Sequence, residues 1–232
     1  MIEVKRLYFK YEDEFVLNNI NLKILEGSFT AIIGANGSGK TTLAKHFNAL
    51  LTPTNGNVFV DEIDTKKDEA SARKKIGFVF QNFEDQLIYS IVDEDIAFGL
   101  ENLGLGSSEI RKIVENTLDR LSITHLAKRN VNTLSLGQKQ LVALAGVLAM
   151  KPKYIVFDEP TTMLDARNKK KIMNISKEVN KKDKITIILI TNILDDLKYA
   201  GNIIMLKHGN VIFDGNKSKL NKKLLAKAGL ND

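Results

Sequence analysis

Gly34-Ala35-Asn36-Gly37-Ser38-Gly39-Lys40-Thr41 match the pattern G-x-x-x-x-G-K-[ST] at every fixed position. The apolar run Phe29 to Ile33 precedes the glycines and a helix-spaced segment, Thr41 to Leu50, follows them, which is the strand–loop–helix context this pattern requires. Gly34, Gly37 and Gly39 let the backbone curl so that successive N–H groups and the helix N-terminus face the phosphates of a nucleotide. Lys40 supplies a positive charge for the same oxygens, and Thr42 completes the phosphate-facing set in the first helical turn. The Thr41 hydroxyl is a hard oxygen ligand suited to Mg²⁺. A tight turn without a ligand would account for the glycines but not for Lys40-Thr41.

A second group of residues fits the first. Tyr154-Ile155-Val156-Phe157-Asp158-Glu159-Pro160 is an apolar strand ending in two carboxylates. Asp158 is placed to bind the Mg²⁺ shell, while Glu159 would polarise the water that attacks the γ-phosphate. The two motifs together predict nucleotide hydrolysis.

The elements that must position these residues are legible as hydrophobic patterns. Ile2/Val4, Leu7/Phe9 and Ile20 to Ile24 alternate as half-buried strands after a charged turn, so the chain is expected to open with antiparallel pairing. Val58 to Val60 and Ile76 to Phe80 read as further strands. From about Ser90 to Met150 the period becomes helical, with Ile110, Ile113, Val114, Thr117, Leu118 and Leu121 on one face. Strands return at Tyr154 to Phe157, Thr186 to Ile190 and Ile203 to Leu206, with a Lys-rich helix between the first two. This alternation predicts an α/β fold with a mostly parallel sheet. One domain is expected over residues 1–232, with a helical subdomain over residues 88–150 and a short basic tail over 216–232.

Composition narrows the function classes. The 232 residues contain no cysteine, which excludes disulfides, thiolate zinc sites and a cysteine nucleophile. The opening Met1-Ile2-Glu3-Val4-Lys5-Arg6 has charges where an export signal needs an apolar run, and Leu141 to Met150 is about half the roughly 20 residues of a membrane span. Neither export nor membrane crossing is expected. Residues 166–232 carry 15 Lys and Arg against 6 Asp and Glu. Without interleaved aromatics these lysines read as solvated helix faces, and no nucleic-acid partner is expected.

Leu134-Ser135-Leu136-Gly137-Gln138-Lys139-Gln140 opens a helix that continues through Met150. This stretch resembles the ABC-transporter signature, usually L-S-G-G-Q, and the whole chain resembles an ABC ATPase subunit. The resemblance implies a P-loop NTPase fold with a RecA-like core, an antiparallel β subdomain and a helical subdomain, closing as a head-to-tail dimer over two ATP molecules. In that arrangement Ser135, Gly137 and Gln138 face the nucleotide of the partner subunit, as a helix N-terminus can. Tyr11 resembles the aromatic residue that stacks on adenine. Gln81 matches the glutamine that reaches the Mg²⁺ and the attacking water, and Leu164-Asp165 the loop that communicates across the dimer, with Met163 where serine is common.

Three positions depart from the family. Asn192, in Ile190-Thr191-Asn192, stands where the switch histidine is expected; asparagine can hydrogen-bond a γ-phosphate but cannot relay a proton at neutral pH. Leu136 replaces a glycine, and Leu141 an arginine. The segments Phe78 to Leu87 and Val92 to Asn102 are similar to the ATPases of energy-coupling factor transporters, the cobalt- and vitamin-uptake group, with Phe83 where proline is usual. That resemblance implies an ATPase at the cytoplasmic face of the membrane. Its partners would be a second ATPase subunit, identical or paralogous, a transmembrane coupling protein docked around Asn82 to Tyr89, and a substrate-binding membrane protein. A soluble ABC-type ATPase acting on DNA or ribosomes, and a degenerate regulatory subunit, are the competing readings.

Overall fold

The computed structural model describes residues 1–230. The chain opens with β1 (Ile2–Tyr11) and β2 (Glu14–Ile24), an antiparallel pair as expected. Then come β3 (Phe29–Ile33), α1 (Lys40–Phe47), β4 (Asn55–Val60), β5 (Ile63–Asp64), α2 (Glu69–Lys75) and β6 (Ile76–Val79). Three longer helices, α3 (Val92–Asn102), α4 (Ser107–Arg120) and α5 (Leu136–Ala149), precede β7 (Tyr154–Asp158), α6 (Ala166–Asp183), β8 (Thr186–Thr191), β9 (Asn202–Lys207), β10 (Asn210–Asn216) and α7 (Lys222–Lys227).

Two sheets result. One is antiparallel, in the order β2-β1-β4-β5; the other runs β10-β9-β3-β8-β7-β6 and is parallel except for β10. The central strands are continuous apolar runs because both faces are covered. Their alternate side chains separate into two cores. Ile32, Val156, Ile188 and Ile190 pack with Leu43 and Phe47 of α1 and with Ile2, Leu7 and Ile20 of the antiparallel sheet. Ala31, Ile33, Ile155, Phe157, Ile187 and Leu189 face the helical side, with Leu144 and Val147 of α5 among their neighbours in the core. α1 is thus enclosed between the two sheets, and the loop before it has little freedom.

Each of the expected strands and helices forms, with ends shifted by a few residues. The helix read from Thr41 to Leu50 ends at Phe47, and α4 buries Ile110, Val114 and Leu118 as its periodicity requires. On α6 only Ile172, Met173, Ser176 and Val179 are buried, and the lysine run lies outside that stripe. The pattern gave no sign of α2, β10 or α7. The segment from 216 onward is more than a charged tail, since Ala228 and Leu230 are buried in the helix-side core. Asn231 and Asp232, its last two residues, lie outside the described residues. No helix among the described residues is long and apolar enough to cross a membrane.

Candidate active site

Strand order decides where the chemistry gathers. β3 lies between β9 and β8, and β8 between β3 and β7. The register pairs Ile33 with Thr191 and Asp158 with Ile190. The loops leaving the carboxyl ends of β3, β7 and β8 therefore emerge side by side, where open α/β sheets place their ligands.

The phosphate loop has the conformation its glycines permit. Gly34 has φ 154°, and a Cβ there would lie 2.2 Å from the Leu206 carbonyl oxygen. Gly39 has φ 99° and would meet Leu17 at 2.9 Å. Supports from distant segments hold the loop: Ala35 N–H donates to the Ala228 carbonyl at 3.3 Å, and Gly209 N–H donates to the Ser38 carbonyl at 3.1 Å. Beside it lies a cavity of about 340 Å³, lined by Asn36, Gly37, Gly39, Lys40, Thr41 and Thr42 together with Val16, Gln81 and Glu159.

Lys40 is buried, and its ammonium donates to the carbonyls of Gly34 at 2.9 Å and Ala35 at 3.1 Å, with Glu159 Oε1 at 4.0 Å. Burial holds its pKa below the usual lysine value, opposed by the charges of Glu159 and Asp158. Thr41 Oγ1 donates to Asp158 Oδ1 at 2.8 Å. Burial raises the Asp158 carboxyl above its ordinary range; the Thr41 hydrogen bond opposes this and the charge of Glu159 adds to it. A divalent cation would stabilise the carboxylate that burial disfavours. The donor set, a hydroxyl and a carboxylate beside this loop cavity, fits Mg²⁺, which takes one or two protein oxygens and completes its shell with phosphates and water.

Glu159 follows directly and carries φ 47°, a left-handed conformation for a non-glycine residue. Such strain persists only where surroundings over-determine it. Its carboxylate accepts from Gln81 Nε2 at 3.3 Å and from Thr162 Oγ1 at 3.4 Å. Asn192 reaches the rim of the loop, where its Nδ2 donates to Asn36 Oδ1 at 3.3 Å. Gln81, the Asp158-Glu159 pair and Asn192 are therefore brought to the loop from three separate segments, the ends of β6, β7 and β8.

Other candidate residues lie elsewhere. Tyr11 is 48% exposed, with its ring edge-on to Phe9 at 4.8 Å, and does not line the loop cavity. Val16 does, a residue without any motif to announce it. Ser135 is the N-cap of α5 in a reciprocal capping box: Gln138 N–H donates to its Oγ at 3.4 Å and its own N–H donates to Gln138 Oε1 at 2.9 Å. At Gly137 the Asn168 side chain approaches closely, and a Cβ there would lie 2.5 Å from it and push it aside. Leu136 is 47% exposed at the helix start. None of these signature residues lines this chain's own loop cavity.

In the segment from Asn82 to Tyr89, Phe83 is buried and so is core rather than a surface anchor. Glu84 pairs with Lys139, and Asp85 accepts from Asn82 at 2.7 Å. The exposed apolar residues are Ile88 at 62% and Tyr89 at 42%. Asp95 Oδ1 fixes this turn by accepting from the N–H groups of both, at 2.7 and 2.9 Å. A groove of about 830 Å³ begins at Tyr89 and carries Asp93, Glu94, Glu101 and Glu115 against Arg111 and Lys128.

Known proteins share this arrangement. The family model for ABC transporters matches residues 17–162. The chain is 43% identical over 241 residues to the energy-coupling factor transporter ATP-binding protein EcfA1 of Clostridium novyi, spanning 100% of this chain and 86% of that one. Among solved structures, cbiO1 of Clostridium perfringens, part of the ABC transporter complex cbiONQ, superposes with a TM-score of 0.86 at 39% identity, over 99% of this chain and 94% of that one. The ATP-binding cassette MJ0796, as a post-hydrolysis dimer bound to ADP and Pi, gives 0.84 at 33% identity, over 93% and 98%. A family match over most of the chain, with relatives of this identity along its full length, places the protein in the ABC transporter family, among its ATP-hydrolysing cassettes.

Proposed function

We propose that this chain is the ATP-binding and ATP-hydrolysing subunit of an energy-coupling factor importer for a vitamin or a metal ion. It works at the cytoplasmic face of the membrane, paired with a second ATPase subunit, a transmembrane coupling protein and a substrate-binding membrane protein. The observation that carries the hydrolytic part is the convergence of Lys40, Thr41, Gln81, Asp158 and Glu159 around one loop. The membrane assignment is supported by likeness to EcfA1 and cbiO1 over essentially the whole chain.

In this reading the loop N–H groups and Lys40 bind the β- and γ-phosphates, the ammonium exchanging its two backbone carbonyls for phosphate oxygens. Thr41 and Asp158 hold Mg²⁺, which when bound neutralises phosphate charge. Glu159 accepts the proton of a water that attacks the γ-phosphorus; the bond to the bridging oxygen breaks, releasing ADP and phosphate. Gln81 orients that carboxylate, and Asn192 can donate to the γ-phosphate. Ser135, Gly137 and Gln138 complete the partner's site, which explains why they avoid their own.

The test is purification of the chain from membranes with its associated integral proteins, followed by ATP-driven uptake in vesicles. Glu159→Gln should retain ATP binding and lose turnover by about 10²–10⁴-fold. Purification without integral partners, or full uptake by the variant, would contradict the proposal.

A further inference from the structure

A buried carboxylate beside the site joins the two loops that carry Glu159 and Asn192. Asp196, in the short helical turn Leu194–Tyr199, is 0% exposed. Its Oδ2 accepts hydrogen bonds from Thr161 Oγ1 at 2.8 Å and from Thr191 Oγ1 at 3.4 Å. Its Oδ1 faces the Lys169 ammonium of α6 at 3.1 Å. Thr161 lies two positions after Glu159, and Thr191 immediately precedes Asn192.

Burying a carboxylate is costly, and apolar side chains of similar volume usually pack as well or better. The geometry around Asp196 suggests what the charge achieves. Glu159 has a strained backbone, which must be tied on both sides to persist. On the upstream side its N–H donates to the Ile190 carbonyl at 3.0 Å. Downstream, the Pro160 carbonyl accepts from Gln140 of α5, and Thr161 is held by Asp196. The other loop is fixed by the same carboxylate, because Thr191 Oγ1 also accepts from the Ile193 N–H at 3.0 Å, across Asn192. Nearby Asp195 is occupied with Lys198 at 2.9 Å, leaving Lys169 as the cation that balances Asp196.

We propose that Asp196 is a positioning residue for ATP hydrolysis, locking the Glu159 loop to the Asn192 loop through the hydroxyls of Thr161 and Thr191. The inference rests on the roles given above to Glu159 and Asn192. Asp196 does not touch the reacting atoms; it fixes the spacing between the group that polarises water and the group that meets the γ-phosphate.

The test is steady-state ATP hydrolysis by the purified transporter complex carrying Thr161→Val, Thr161→Ser or Asp196→Asn, with Glu159→Gln in parallel, each with its ATP affinity and thermal midpoint. Thr161→Val and Asp196→Asn should lower kcat by about 10–100-fold with KM and ATP affinity unchanged, the cost of a small misplacement of a catalytic group. Thr161→Ser, which keeps the hydroxyl, should restore wild-type kcat. If Asp196→Asn does not fold, the valine and serine pair at Thr161 decides the matter. Wild-type kcat in Thr161→Val beside an inactive Glu159→Gln would overturn the role of Asp196 and leave Glu159 in place. Parallel loss of affinity and thermal stability, without rescue by serine, would show packing instead. An active Glu159→Gln would remove the underlying assignment of Glu159, and this proposal with it.

Discussion

Thr41 Oγ1 donates a 2.8 Å hydrogen bond to Asp158 Oδ1, although 117 positions separate the two residues in the chain. The first residue is in the opening turn of α1 and the second at the end of β7, so two side-chain oxygens from different motifs meet beside the loop cavity. Removing either should disturb metal-assisted binding more than phosphate binding itself. Thr41→Ala and Asp158→Asn are expected to weaken ATP binding by about 10–100-fold in Mg²⁺ and far less in a chelator. Titration under both conditions is the check. An equal loss in both would mean that these residues shape the loop rather than hold a metal.

Asn192 touches the loop rim through Asn36 but has no titratable group to offer. Asn192→His is expected to raise ATP turnover of the assembled complex, by no more than the roughly 10²–10⁴-fold that a positioned acid or base supplies. The gain should follow imidazole ionisation near pH 6–7, on the order of its ordinary pKa. Measuring kcat against pH for both proteins decides it, and flat, unchanged turnover would show that the amide already suffices.

Ile88 and Tyr89 are the exposed apolar residues beside the acid-rich groove, whereas Phe83 is core and Glu84 and Asp85 have partners within the chain. Ile88→Ser with Tyr89→Ser should reduce co-purification with integral membrane partners while leaving the thermal midpoint and ATP binding unchanged, since aromatic and aliphatic anchors dominate docking energies. Undiminished co-purification would place the docking surface elsewhere.

His46 of α1 is fully buried; its Nδ1 bonds the Thr42 carbonyl at 2.7 Å and its ring meets Phe9 edge-on at 4.7 Å. Burial pushes its pKa down to about 4, with the Thr42 hydrogen bond opposing and Lys66 assisting. An unfolded chain binds this proton near pH 6.5, before the folded protein does. Stability from this group is complete above that pH and is lost as pH falls toward 4, by up to roughly 3 kcal/mol. His46→Gln should flatten the slope of stability against pH over that interval, read from urea midpoints. A variant with the wild-type slope would exclude His46 as the source.

Hydrophobic period and contiguous motifs carry much of this protein's fold and candidate site in the sequence itself. The phosphate loop is eight adjacent residues, and the positive φ values it needs fall on its own Gly34, Gly37 and Gly39. The strand ending at Asp158 is marked by an unbroken apolar run, because a central parallel strand is covered on both faces. The helix starting after Ser135 was legible for the same local reason: its capping box spans only four residues.

Tertiary structure decided everything that depends on strand order and register. Pairing of Ile33 with Thr191 and of Asp158 with Ile190 sets Asn192 and Glu159 beside the loop, and no local pattern encodes that adjacency. Val16, Gly209 and Ala228 support or line the loop from distant segments. Asp195 and Asp196 are adjacent acids with no local motif to tell them apart, yet folding buries Asp196 completely and turns Asp195 outward to Lys198. The same holds between Phe83 and Ile88, two apolar residues five positions apart of which folding hides the first and leaves the second 62% exposed. Periodicity along a chain records which residues prefer to leave water; which partners they find there is set by the long-range packing of the sheets.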